Sequence, residues 1–250
     1  MKTSRLKRFF QDFYLVFVLI FLYAPILTMV VLSFNTSKSR TDWGGFTLDW
    51  YVQMFESSSI MDALYNTLLI AFISALAATI LGTAAAIGIS SMKKTPRNIV
   101  TGISLMLGFL AFGISLGFKT ILLSHITFCV PYVILSVMPK LKQTSRYTYE
   151  AAMDLGAGPV EAFFKVVLPD IMPGVLSGFL LAFTMSLDDF IVTHFTRGAG
   201  VNTLSTLIYS EVRRGIKPSM YALSSIIFVT VLALLLITNF SPDRSGKERA

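Results

Sequence analysis

The chain has 250 residues, 54% of them hydrophobic and 14% charged, with a mean hydropathy of +0.69, too little polar surface for a water-soluble domain of this size. Its net charge of +7 is scattered in short patches with no aromatic-interleaved basic stripe, which excludes nucleic acid as a partner. The single cysteine, Cys129, excludes an intrachain disulfide and a cysteine-based metal framework.

Charge-free runs at 13–34, 63–92, 99–118, 120–138, 171–187 and 220–240 are each long enough, or nearly so, to cross a hydrocarbon core of about 30 Å. Only helices satisfy the backbone in lipid without closing a barrel. The predicted fold is therefore all-α and integral to the membrane, with six transmembrane helices in one domain, 1–250, and no soluble domain appended. Fourteen of the 21 cations fall on one side if the N-terminus is inside, so both termini are expected in the cytoplasm. Bases near anionic lipid then explain the positive charge.

The first span is too long for the apolar core of a cleaved signal peptide, and no Ala-x-Ala-like site follows it. The next loop, 35–62, carries Asp42-Trp43-Gly44-Gly45-Phe46-Thr47-Leu48-Asp49-Trp50-Tyr51. Two readings stay open for Asp42 and Trp43: an aromatic belt at the interface, or a docking or substrate-access role. The second span holds Ala71, Ala75, Ala78, Gly82, Ala86 and Gly88, small residues that let helices approach closely in lipid. The third and fourth spans are separated by almost nothing around Lys119 and are expected to form a tight hairpin. His125 lies five residues into the fourth span, and packing through hydrogen bonds is the simpler reading of a lone intramembrane histidine.

Between the fourth and fifth spans the chain leaves the membrane on the inner side, over 140–170. Residues 147–155 predict a short helix with Ala151, Ala152 and Leu155 on one face. Gly156-Ala157-Gly158 breaks it, and Pro159 is placed to start a second short helix, which Pro169 is expected to interrupt. A helix resting on headgroups would show a bulky apolar face beside bases. This one shows alanines with Glu150 and Asp154, which suits a socket on another protein. The fifth span ends in Asp188 and Asp189, followed by Phe190. Acids and aromatic faces bind ammonium groups, and an acid within a span is a functional candidate. The alternative is that both aspartates lie at the interface, bonded to the following loop. Thr193-His194-Phe195 reads either as gate lining or as loop.

A different class competes with transport: an intramembrane serine protease, using one of the Gly-Ile-Ser triplets at Gly88, Gly102 and Gly113 with His125 or His194 as base. Packed small residues explain the triplets more simply, and the protease leaves the 140–170 loop without a purpose.

Glu150-Ala151-Ala152, then Gly156, then Leu168-Pro169 resembles the cytoplasmic coupling loop of binding-protein-dependent ABC importer permeases. Further stretches narrow the likeness to the spermidine/putrescine (PotC-type) branch. They are Gly44-Gly45-Phe46-Thr47-Leu48-Asp49-Trp50-Tyr51, Ile99-Val100-Thr101-Gly102, Ser124-His125-Ile126-Thr127-Phe128 and Ser186-Leu187-Asp188-Asp189-Phe190. The resemblance implies a bacterial inner-membrane complex of this subunit, a second homologous permease, two copies of an ATP-binding subunit and an external polyamine-binding protein. It implies coupling through Glu150, Ala151, Ala152, Asp154, Leu155, Gly156 and Pro169, and a polyamine path past Asp42, Trp43, Asp188, Asp189 and Phe190. Another small cationic solute on the same scaffold is the alternative. ATP and magnesium would sit on the partner ATPase, and this chain has no Gly-x-x-x-x-Gly-Lys-Ser/Thr phosphate loop and no cofactor of its own. The likeness departs at 93–98, where the family has a longer segment closing with Pro-Asp. Here Asn98 stands in the place of that aspartate.

Overall fold

The structure, a computed structural model, describes residues 2–39, 41–91, 116–144, 146–198 and 200–240. The apolar runs become long helices, α1 (Lys2–Leu32), α3 (Ser58–Ser91), α4 (Phe118–Gln143), α7 (Leu168–Asp188) and α10 (Pro218–Phe240), and they continue through Pro25, Pro131, Pro139 and Pro173, as apolar spans in lipid tolerate. Between them lie α2 (Asp49–Glu56), α5 (Arg146–Asp154), α6 (Pro159–Ala162), α8 (Ile191–Thr196) and α9 (Leu204–Arg214). Among the described residues, four helical stretches are long and apolar enough to cross a membrane: Phe13–Leu32, Ser58–Ser90, Phe118–Gln143 and Pro159–Asp188. α10 carries a shorter apolar stretch, Pro218–Ala233. The predicted third span, the Gly-Ile-Ser triplets at Gly102 and Gly113, and the short connection 93–98 fall outside the described residues, apart from the last residues of that span.

The helices form two compact units, Met1–Met61 with Ser210–Ala250, and Asp62–Tyr209. In the first, Tyr23 of α1 meets Phe228 of α10, with ring centroids 6.4 Å apart. Its 35–48 loop is tied by Asn35, which is buried. The Asn35 amide donates to the Asp42 carbonyl (2.8 Å), and its oxygen accepts the N–H groups of Ser37 and Gly44. Trp50 Nε1 donates to the Asn35 carbonyl (2.7 Å). Gly45, at φ +122°, takes a conformation that side chains rarely adopt. Much of the predicted 35–62 loop is therefore ordered helix and turn, and the second long helix starts at Ser58, five residues before its charge-free run.

In the second unit α3, α4 and α7 enclose a core of Ala75, Ala78, Ala86, Cys129, Val133, Val137, Ile171 and Ala182. α4 and α7 run antiparallel: Gly174 faces Lys140 and Ser136, Gly178 faces Val133 and Ser136, and Cys129 Sγ reaches the Ala182 carbonyl. A Cβ on Gly174 would stand 2.8 Å from Lys140 Cγ, and one on Gly82 of α3 would stand 2.7 Å from Val133 Cβ. Small residues are what permit such close approach in lipid, where van der Waals packing replaces the hydrophobic drive between helices.

One expectation fails in detail. Pro159 does open a helix, at its first position, but Pro169 does not end it. The chain stays helical from Pro159 to Asp188 through a π turn, Phe163–Val167, in which the Leu168 N–H reaches the Phe163 carbonyl. Widening the turn by one residue absorbs the N–H that proline lacks, so the helix continues where an α-helical ladder would have been broken.

Candidate functional site

The row Gly174, Gly178, Ala182 ends, one turn on, in Ser186. All four are buried on α7. The close approach of α7 to α4 brings Ser186 Oγ to 2.6 Å from His125 Nδ1. Ser74 of α3 meets the same Ser186 oxygen at 2.9 Å. On the other side of the imidazole, Nε2 lies 2.9 Å from Thr193 Oγ1 of α8 and 3.7 Å from Asp189 Oδ2. His125 and Thr193 are each 1% exposed. Four helices are thus joined at one buried polar point, where each interhelical hydrogen bond contributes on the order of 0.6 kcal/mol in lipid.

This geometry separates the two aspartates. α7 ends at Asp188, and Asp189 turns to extended backbone (φ −70°, ψ 117°). Asp189 Oδ2 accepts the Thr193 N–H (2.9 Å), and its carbonyl accepts the hydroxyls of Thr193 and Ser205 (each 3.0 Å). Asp189 therefore closes the α7–α8 turn, bonded to the segment that follows it. Asp188 is exposed and has no hydrogen-bond partner among the described residues. Beside it Phe190 stacks on His194 (5.1 Å) and packs against Tyr209 (4.6 Å), so an aromatic cluster stands next to the acid pair. Asp42 and Trp43 belong to the other unit. Both side chains are exposed there, Trp43 by 57%.

The opposite end of α7 meets the segment predicted to couple. α5 stops in a Schellman motif: Gly156 N–H bonds the Met153 carbonyl (2.9 Å), and Ala157 N–H bonds the Ala152 carbonyl (3.1 Å). Gly156 has φ +92°, a left-handed conformation that a side chain would strain. Around this turn Glu150, Ala151 and Asp154 are exposed, Ala152 is half-buried, and Leu155 is 91% exposed. Pro169 is exposed in the first turn of α7. A leucine held out on a fixed turn is an apolar knob without a hole in its own chain.

Sequence reading found His125, Asp189 and the α5 turn, but not Ser74, Ser186, Thr193 or Asn35 as organising residues. The signal for Ser186 was present as a small residue at every fourth position of α7. The spatial Ser186–His125–Asp189 arrangement does not make a hydrolase. Ser186 Oγ is buried and already shared with Ser74, leaving no exposed nucleophile for a carbonyl. Ser90 of the first Gly-Ile-Ser triplet donates to the Ile87 carbonyl.

No family model matches the chain. It is 40% identical to the putrescine transport system permease protein PotI of Escherichia coli K12, over 92% of this chain and 89% of that protein. It is 36% identical to the spermidine/putrescine permease PotC of Haemophilus influenzae, over 93% and 96%, and 33% identical to a PotC homolog of Mycoplasma pneumoniae, over 95% and 92%. Among solved structures, a bacterial ABC transporter involved in the import of the acidic polysaccharide alginate aligns with a TM-score of 0.63 at 11% identity, over 96% of both chains. At that identity the likeness is one of fold.

Proposed function

The chain belongs to the spermidine/putrescine permeases of the ABC transporters, and from that premise we propose that it carries polyamines from an external binding protein into the cytoplasm. It is a multi-pass membrane protein and a non-catalytic permease subunit. In the proposed complex two ATP-binding subunits hydrolyse ATP, a second homologous permease completes the path, and the whole sits in the bacterial inner membrane. Six spans with both termini inside make one permease domain of the two compact units. The inner segment, α5 with the helix that begins at Pro159, receives force from the ATPase.

The observation that carries this reading is the division along α7. Its 21 residues extend about 31 Å, the thickness of a hydrocarbon core. One end continues from the helix that follows the exposed Leu155–Gly156 turn, and the other ends in the exposed Asp188, two residues before Phe190, whose ring packs with His194 and Tyr209. Polyamines hold about one positive charge per amine, and an exposed carboxylate next to aromatic faces matches that chemistry. ATP binding would move the α5 turn with the ATPase pair, and the attached helices would rock to expose the acidic end.

The test is uptake of labelled putrescine and spermidine by the complete transporter, comparing the unaltered chain with Asp188→Asn. ATP-dependent uptake that falls at least tenfold in the variant, at equal membrane insertion, supports the reading. Full uptake by the variant moves the path elsewhere. An unaltered chain that moves neither polyamine, but does move another organic cation, replaces the substrate.

A further inference from the structure

The exposed acid at the end of α7 owes its placement to residues that never meet solvent. Thr193 Oγ1 donates to the Asp189 carbonyl (3.0 Å), so its lone pairs are left for His125 Nε2, 2.9 Å away. Nε2 is then the protonated nitrogen. Nδ1 is bare and accepts the Ser186 hydroxyl at 2.6 Å, which leaves the Ser186 oxygen to accept from the Ser74 hydroxyl at 2.9 Å, a proton Ser74 shares with the Ala71 carbonyl at 3.2 Å. In this ordering every donor in the chain Ser74, Ser186, His125, Thr193, Asp189 points the same way and finds an acceptor. A saturated buried network is rigid, because any rotation leaves a polar group unpaired where no water replaces it.

The rigid element ends at the α7–α8 turn. Asp189 is fixed by four contacts: its carboxylate with the Thr193 N–H and near His125 Nε2, and its carbonyl with the Thr193 and Ser205 hydroxyls. Its side chain is 11% exposed. Asp188, one residue earlier, has no such anchor among the described residues.

We propose that His125 is a positioning residue for the substrate path. By bridging Ser186 to Thr193 it locks Asp189 inward and leaves Asp188 as the carboxylate presented to a substrate ammonium group. This assignment rests on the polyamine reading for the identity of the ligand, but not for the geometry. Packing alone would be served by any side chain of imidazole volume. Positioning needs an acceptor toward Ser186 and a donor toward Thr193. Glutamine places its amide near the Nε2 position and keeps the Thr193 bond, the one nearest Asp189, while giving up the acceptor toward Ser186; leucine keeps neither.

Initial rates of labelled putrescine uptake by the assembled transporter in ATP-loaded vesicles test it, using His125→Gln, His125→Leu, Thr193→Val and the His125→Leu/Thr193→Val double variant. Loss of the oriented turn raises KM about tenfold in His125→Leu and in Thr193→Val, the effect of roughly one charge-assisted hydrogen bond. The double variant is no worse than either single one, because both remove the same link. His125→Gln stays within about threefold of the parent, and Vmax per inserted subunit barely changes. Unchanged KM with a falling Vmax or poor insertion overturns the proposal in favour of plain packing, as do effects that multiply in the double variant.

A second arm needs no substrate. With Cys129→Ala as background, Asp189→Cys is expected to react slowly with a charged, membrane-impermeant thiol reagent, and about tenfold faster once His125→Leu is added. Equal rates with and without His125 overturn the positioning role. If the unaltered chain moves no polyamine, the proposed substrate fails while this labelling still decides the role of His125.

Discussion

The two ends of α7 solve the same problem in opposite ways. At one end Ser74, Ser186, His125 and Thr193 are buried and find their partners within the chain. At the other, the α5 turn is equally well defined by its Schellman bonds, yet it pushes Leu155 outward with 91% of its surface exposed. The first region is completed by the fold. The second has a fixed backbone and an apolar side chain without a partner among the described residues, which supports the proposed docking of another protein there. Rigidity alone does not distinguish a structural site from a docking site; where the side chains find their partners does.

Substitutions break this comparison in a definite order. Gly156→Asp should have the largest effect on function and a small one on folding. A Cβ there meets no atom within 4 Å, so the cost is the left-handed backbone alone, roughly 1 kcal/mol, whereas the turn that carries Leu155 is displaced. Uptake should be lost while the subunit still inserts at parental levels, as measured by transport beside quantitative immunoblotting.

Gly82→Ala should do the reverse. Its Cβ would press on Val133 at 2.7 Å, and overpacking of this kind costs about 1–3 kcal/mol. A lowered thermal midpoint of the detergent-purified complex is expected, with uptake per folded transporter nearly unchanged. Ser74→Ala is milder. It removes one interhelical hydrogen bond, on the order of 0.6 kcal/mol, and the same melting measurement should show a small drop without a change in KM. Smallest is Lys165→Ala. Its bond to Glu161 (2.6 Å) joins two exposed side chains, and pairs of that kind contribute little. Neither melting nor uptake should move, although Lys165 lies close in sequence to the coupling turn.

Legibility in the sequence followed the same divide. Three of the six charge-free runs, 120–138, 171–187 and 220–240, lie wholly on described long helices, and 13–34 and 63–92 do so but for their last residues, because a single apolar stretch in lipid satisfies its backbone as a helix. Gly156 and Pro159 were legible because turn and helix-start chemistry is local. Pro169 misled because a single π turn absorbs what proline removes from an α-helix, and nothing in the residues flags that turn. The Asp188/Asp189 pair was legible as a candidate, but which of the two the α7–α8 turn binds was not. That division depends on where α7 stops and on Thr193 and Ser205, which approach only in the folded chain. The hydroxyl network was harder still, since serines and threonines are ordinary in spans. Only the row of small residues at 174, 178, 182 and 186 hinted that α4 would come close enough for His125 to reach.

The most direct test of the division is a crosslink. Leu155→Cys in a Cys129→Ala background, assembled with the ATP-binding subunit and treated with a short thiol-to-amine crosslinker, should link to that subunit in a yield that changes on adding ATP. Cysteine at the buried end, introduced as Ser74→Cys, should give no such product. A Leu155→Cys variant that never links to the ATPase, while uptake stays intact, would contradict the account: the exposed turn would not be where force enters this permease.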